Sequence, residues 1–237
     1  MIAALPWYPA ARPSLDAVWA GARREDWPAR LTWPDDAALW EHWHAPDLLL
    51  SQCCAPCWGM RLSDRLHLVG AFDFGLPDTP PGFYRSVIVQ RIGDDRAPDA
   101  AAAAGMAANA PDSQSGWGAL ADQGWGDRPV RFTGGHADSM AAVARGAAHL
   151  AAIDMVTWRL APHPRLSVRR VTAPTPAPPV VTAMPERARA LRAALGRGIA
   201  RLPAAMRRAT GLRGVVAVDA GAYAACSLPA PPPRNAA

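Results

Sequence analysis

The chain has no lysine; all 25 of its basic residues are arginine. That absence excludes Schiff-base chemistry, a phosphate-loop lysine and a pyridoxal-phosphate anchor. Charged residues are few, at 19%. Even so, no uninterrupted apolar run approaches the roughly 20 residues that span a bilayer, so membrane insertion is not expected. The start, Met1-Ile2-Ala3-Ala4-Leu5-Pro6-Trp7-Tyr8, lacks a basic opening, a long apolar stretch and a small-residue cleavage site. It does not read as a secretory signal. The expectation is a protein that stays in the cytoplasm, or one whose signal was removed before the numbering begins. Half of the 237 residues are hydrophobic, enough core for one large domain or two small ones.

Cysteine is sparse and clustered. Cys53, Cys54 and Cys57 fall within five positions and Cys226 stands alone. Cys54-Ala55-Pro56-Cys57 has the spacing of a redox or zinc half-site. A zinc site would want a second pair, which is missing, so no metal is expected and buried or loop thiols are the plainer reading. The net charge is +5, and eight arginines with no acid lie between Arg187 and Arg213. A nucleic-acid patch fits that run. A solvated helix face fits it more simply, and no nucleic-acid partner is expected.

Short apolar runs alternate with helical stretches along the chain. Strands are predicted over Ile2–Leu5, Asp47–Ser51, Leu66–Phe72, Ser86–Arg91, Met106–Asn109, His149–Ile153, Ser167–Ala173 and Val180–Thr182. Helices are predicted from Pro13 to near Arg24, and over Asp35–Trp43, Ala97–Ala104, Ser115–Gln123, Ala137–Arg145, Met155–Leu160, Glu186–Leu195 and Pro203–Thr210. Gly211–Val218 leads into a last short element with Tyr223, and Leu228–Ala237 is proline-rich and expected to fray. Two breaks, Gly75–Gly82 and Pro174–Pro179, are dense in proline. They divide the chain into a first lobe, 1–78 with 175–237, and an inserted second lobe, 79–174. Two crossings between lobes make a hinge, and ligands are expected between lobes where strand-end loops converge.

Three segments could carry chemistry. In Asn109-Ala110-Pro111-Asp112-Ser113-Gln114-Ser115-Gly116-Trp117 a strand ends and a helix starts, with hydroxyls and free N–H groups at its N-terminus. That suits an oxyanion; it equally suits an ordinary capped helix. Thr133-Gly134-Gly135-His136-Ala137-Asp138-Ser139 repeats the pattern in the same lobe. Its glycines let the backbone approach a ligand, and His136 and Ser139 can donate hydrogen bonds. His136 also reads as a cap or surface residue. Asp154 follows a buried apolar run, at a strand end where open α/β sheets place ligand contacts. It either binds ligand or caps the next helix. In the first lobe the matching positions are Trp7 and Tyr8, and Ser51 and Gln52; Tyr84 lies at a crossing.

In this order the pieces resemble the phosphate/phosphite/phosphonate class of ABC-transporter substrate-binding proteins, within the type II periplasmic-binding-protein superfamily. The resemblance runs from Ile2 to about Tyr223. It is carried by Leu49-Leu50-Ser51-Gln52, Pro81-Gly82-Phe83-Tyr84-Arg85-Ser86, Asp112-Ser113-Gln114-Ser115-Gly116, and Gly134-Gly135-His136-Ala137-Asp138-Ser139 leading to Ala152-Ile153-Asp154. It implies an α/β fold of two mixed-sheet lobes joined by a two-crossing hinge and closing on ligand, with Asp112–Trp117 as one wall of the cleft. It also implies an oxyanion held by Ser113, Gln114, Ser115 and Gly116, completed by His136, Ala137 and Ser139, with Asp154 after the later strand. The implied function is solute binding without catalysis or cofactor, by a monomer that serves an ABC permease in the periplasm. A cytoplasmic sensor and a biosynthetic enzyme on the same fold, with Asp154, His136 and the cysteines as acid, base or nucleophile, stay open as alternatives. Trp7, Trp58, Trp117 and Trp158 flank the predicted cleft loops, and a cleft walled by indoles would favour an organic or cationic ligand over bare phosphate.

Overall fold

A computed structural model describes residues 1–232. The rest of the proline-rich tail, beyond Pro232, lies outside the described residues. The chain divides into two compact units. One comprises Met1–Phe83 and Pro176–Cys226; the other comprises Tyr84–Thr175 and the tail from Ser227.

The first unit is built on a five-stranded mixed sheet. Its strands are β1 (Ile2–Ala3), β2 (Leu48–Gln52), β3 (His67–Asp73), β11 (Pro179–Thr182) and β12 (Gly214–Val216), in the spatial order β1-β2-β11-β3-β12. β1 runs parallel to β2, and the remaining pairs are antiparallel. Every residue of β2 is buried. A strand covered on both faces reads as a continuous apolar run rather than an alternation. Helices α1 (Arg12–Ala22) and α7 (Ala188–Ala200) pack together. Gly21 and Gly198 allow the close approach, since a Cβ on Gly198 would strike the Val18 carbonyl. α7 buries Leu191, Ala194, Leu195 and Ile199 at helical spacing. Arg189, Arg197 and Arg201 are exposed, so much of the arginine run is a solvated face. α2 (Asp36–His44) is capped by the Asp35 side chain, which accepts from Ala38 N–H.

One helical element lies where no helix is expected from the sequence. Residues 55–62 are helical, as α3 (Ala55–Cys57) and then a wide-turned segment, Trp58–Leu62. Pro56 and Gly59 disguise it, because both score against helix. Proline is tolerated in a first turn. Gly59 packs on α9 (Ala220–Ala224), where an added Cβ would lie 3.2 Å from the Tyr223 carbonyl oxygen. The expected strand Ile2–Leu5 pairs only over Ile2–Ala3, and Ala4 bridges singly to Thr32.

The second unit holds another five-stranded mixed sheet: β5 (Ser86–Arg91), β6 (Met106–Ala108), β7 (Val130–Phe132), β8 (Leu150–Asp154) and β9 (Leu166–Val171), in the order β7-β6-β8-β5-β9. β6 is parallel to β7 and β8, and β5 is antiparallel to β8 and β9. Period-two alternation sorts its side chains. Val87, Val89, Ala107, Ala151 and Ile153 pack with Met140 and Val143 of α5 (His136–Ala144). Ile88, Met106, Ala108, Leu150 and Ala152 pack on the other face with Trp117, Leu120, Trp125 and Ala101 of α4 (Pro98–Ala104). α6 (Met155–Leu160) follows β8 directly. Two short strands, β4 (Phe83–Tyr84) and β10 (Thr175–Pro176), form a ribbon of their own, and α8 (Ala204–Thr210) precedes β12.

The helix expected over Ser115–Gln123 differs in pitch. It starts at Gln114 and runs wide over Gln114–Gly118 and again over Ala121–Trp125. Its first wide bond joins Gly118 N–H to Ser113 O at 2.9 Å, a five-residue reach. Two glycines in this turn loosen the helical preference, and such wide turns recur at functional positions.

Candidate functional site

The parallel strands β6, β7 and β8 end together at Ala108, Phe132 and Asp154. β5 begins at Ser86, opposite Asp154, and β9 ends at Val171, opposite Val87. Ser86, Asn109, Thr133, Asp154 and Thr172 therefore share one edge of the sheet, the carboxyl edge of its parallel strands. Open α/β sheets bind ligands at such an edge.

Two strand-to-helix turns meet there. In the first, Ser113 caps its own turn, its Oγ accepting from Gly116 N–H at 3.1 Å. Gly116 leaves room for Asn109: a Cβ there would collide with Asn109 Oδ1 unless that side chain moved, and would lie 3.2 Å from Ser113 Oγ. Asn109 Oδ1 is buried and has no hydrogen-bond partner among the described residues. In the second turn, Gly134 adopts φ +91°, a left-handed conformation natural to glycine. Gly135 then opens α5 without a side-chain cap, leaving first-turn N–H groups without helical partners. The two turns touch through Ser115 Oγ and His136 Nε2, 3.0 Å apart. Ser86 fixes the first turn from below, its hydroxyl donating to Ser115 O at 3.0 Å. Thr172 Oγ1 in turn accepts from Ser86 N–H at 2.9 Å.

His136 is half-buried, and its Nδ1 is fully enclosed. Burial penalises the imidazolium and pushes the pKa down to about 4, against a weaker upward pull from the Ala152 backbone. The ring is neutral at physiological pH. Ser86 and Thr172, with Gln114, Asp122, Gln123 and Thr175, line a pocket of about 90 Å³ that neither Ser115 nor His136 lines. That is well below the roughly 300–1,000 Å³ of drug-sized ligand sites.

The sequence matches no family model and no curated protein. Solved structures do match. MatC from Rhodopseudomonas palustris with bound malate aligns at TM-score 0.63 and 12% identity, over 90% of this chain and 89% of that one. PhnD1 from Prochlorococcus marinus in complex with methylphosphonate aligns at TM-score 0.62 and 12% identity, over 89% and 87%. XAC2383 from Xanthomonas citri bound to ATP aligns at TM-score 0.60 and 15% identity, over 93% and 92%. The fold is that of the two-lobed periplasmic binding proteins.

Within that fold the other expected positions fall in varied surroundings. Ser139 is buried and bonds Thr133, Oγ to Oγ1, at 2.7 Å. Ala137 is exposed one residue after His136. Asp154 is 1% exposed and caps α6, its Oδ1 accepting from Val156 and Thr157 N–H at 2.7 and 3.0 Å. Of the two readings left open for Asp154, the cap is the one its geometry displays. Tyr84 is buried. In the first unit, Ser51 and Gln52 are buried at the end of β2, and the Trp43 indole donates to Ser51 Oγ and Gln52 O. Gln52 Oε1 is buried without a partner among the described residues. Tyr8 packs edge-on against Phe74, and Trp7 lies half-buried against the core.

The four tryptophans that flank the predicted cleft loops divide between core and partly buried positions. Trp117 is fully buried, and its Nε1 donates to Pro229 O at 2.7 Å. Trp58 is buried against Tyr223 and donates to Leu66 O. Trp158 packs on the α5 side of its sheet. These indoles fill core space because a large ring gains most from leaving water. Ser86 and Thr133 enter the sequence motifs without a role of their own, and Thr172 enters none. Each sits within or beside a β-branched run, where a hydroxyl residue reads as strand filler. Only the register that sets Ser86 opposite Asp154 exposes their shared edge.

Proposed function

We propose that this protein binds, without turning over, a small polar solute bearing an oxyanion of phosphate, phosphonate or sulfonate type. The site is the strand-end edge of the second unit. The carrying observation is the 3.0 Å contact between Ser115 Oγ and His136 Nε2, which joins two strand–turn–helix starts at one point. The Ser113 and Ser115 hydroxyls and the uncapped first turn of α5 supply neutral donors to an oxyanion. Malate, methylphosphonate and ATP, held by the three neighbours, all carry oxyanions. The likeness supports service in the periplasm; delivery to an ABC permease is part of the same proposal.

A serine beside a histidine also raises the reading of a nucleophile and its base. One feature weighs against it: a histidine whose pKa burial pushes down to about 4 is a weak base at neutral pH.

The test is a thermal-shift screen with inorganic phosphate, methylphosphonate, ethanesulfonate and malate, followed by mass analysis of the recovered ligand. An oxyanion present at a hundred times its Kd should stabilise the protein by about 2.7 kcal/mol and return unchanged. Conversion of the ligand would replace binding with catalysis.

A further inference from the structure

The four cysteines converge on one region of the first unit. Cys53 and Cys57 belong to the core cluster around Trp58 and Tyr223, and Cys54 and Cys226 pack against it. None of the four is in a disulfide. Cys54 occupies the cap position of α3, with φ −78° and ψ 156°, and its Sγ accepts from Cys57 N–H at 3.4 Å. The sulfur of Cys54 thus lies over the backbone of Cys57.

We propose that Cys54 and Cys57 form a dithiol that closes to an intramolecular disulfide when it meets a low-molecular-weight disulfide. Side chains three apart across one helical turn have Cβ atoms about 5–6 Å apart. A disulfide wants about 3.5–4.5 Å, so closure needs a local shift of one to two ångströms. Exposure separates the roles. Cys53 is 0% exposed and Cys57 5%, whereas Cys54 is half-buried. Cys54 meets the oxidant and Cys57 resolves the product.

The step balances as two exchanges. The Cys54 thiolate attacks one sulfur of oxidised glutathione. That S–S bond breaks, and one glutathione leaves and takes up the proton Cys54 gave. Cys57 then loses its proton and attacks the Cys54 sulfur, expelling the second glutathione, which is protonated in turn. Two cysteine sulfurs are oxidised and one glutathione disulfide is reduced to two thiols. The Cys57 thiol alongside, together with burial, holds the Cys54 thiol well above the ordinary thiol range. The pair is therefore a slowly oxidised one rather than the low-pKa nucleophile of a disulfide oxidoreductase.

The test is to incubate the full chain with oxidised glutathione and record its intact mass and peptide map without reductant. Wild type should lose two hydrogens, with the link mapping to Cys54 and Cys57. Cys57→Ser should stop at a single glutathione adduct on Cys54, and Cys226→Ser should behave as wild type. A lasting adduct on wild-type Cys54, or a link through Cys53 or Cys226, overturns the assignment. So does a folded protein that stays reduced while the urea-unfolded chain oxidises. If Cys57→Ser does not fold, the wild-type map decides alone.

Discussion

At Gly116 the first candidate turn leaves no room for a side chain. Asn109 Oδ1 occupies the space a Cβ would need. Gly116→Ala should therefore cost about 1–3 kcal/mol, as overpacking does, seen as a lower urea midpoint with an unchanged slope. An unaltered midpoint would mean that Asn109 moves aside freely. His136 gives a second prediction, in pH. Its folded pKa is about 4 against an ordinary 6.5, so as pH falls the unfolded chain takes up the proton first. The stability tied to the neutral ring is complete above about pH 6.5. It is lost progressively down to about pH 4, by at most about 3 kcal/mol. Subtracting the urea stability of His136→Gln from that of wild type at each pH should isolate this slope; a flat difference would contradict the burial of the ring. The two turns were legible in sequence as strand-to-helix starts, though not whether they serve as caps or as a site. The contact of Ser115 with His136 was not, since it depends on the parallel pairing of β6 with β7.

Asp154 belongs to the element scale, where it starts α6. Removing its cap with Asp154→Ala should cost about 1–2 kcal/mol. Asp154→Asn keeps an oxygen for Val156 and Thr157 N–H and should recover most of that loss. Equal thermal stability in all three proteins would show that the carboxylate does not hold the helix. The alternation of helices and strands was legible along most of the chain. Buried strands such as β2 and β8 announce themselves as unbroken apolar runs. Pitch was hidden, because the wide turns after Ser113 and Cys57 share the apolar spacing of an ordinary helix. Trp58 and Trp117, which flank predicted cleft loops, are core side chains, while Trp7 and Trp158 stay partly buried. Local spacing places an indole near a loop but does not say on which face of the sheet it lands.

At the scale of the whole molecule, two mixed α/β sheets and their chain order give the two-lobed periplasmic-binding fold. Hydroxyls, a neutral histidine and helix N-termini at one sheet edge suit reversible capture of an oxyanion, where a permanent opposite charge would bind it harder and release it more slowly. Which oxyanion the proposed site would take was not legible, because neutral donors recognise many oxyanions alike. The most direct test is calorimetric titration of phosphate, methylphosphonate and malate into wild type, Ser115→Ala and His136→Gln. The account predicts saturable one-site binding of at least one of them by wild type, weakened about 10-fold or more in both variants, in line with about 1.5–3 kcal/mol for a hydrogen bond to a charged group. Oxyanion binding of equal strength in all three proteins would contradict it.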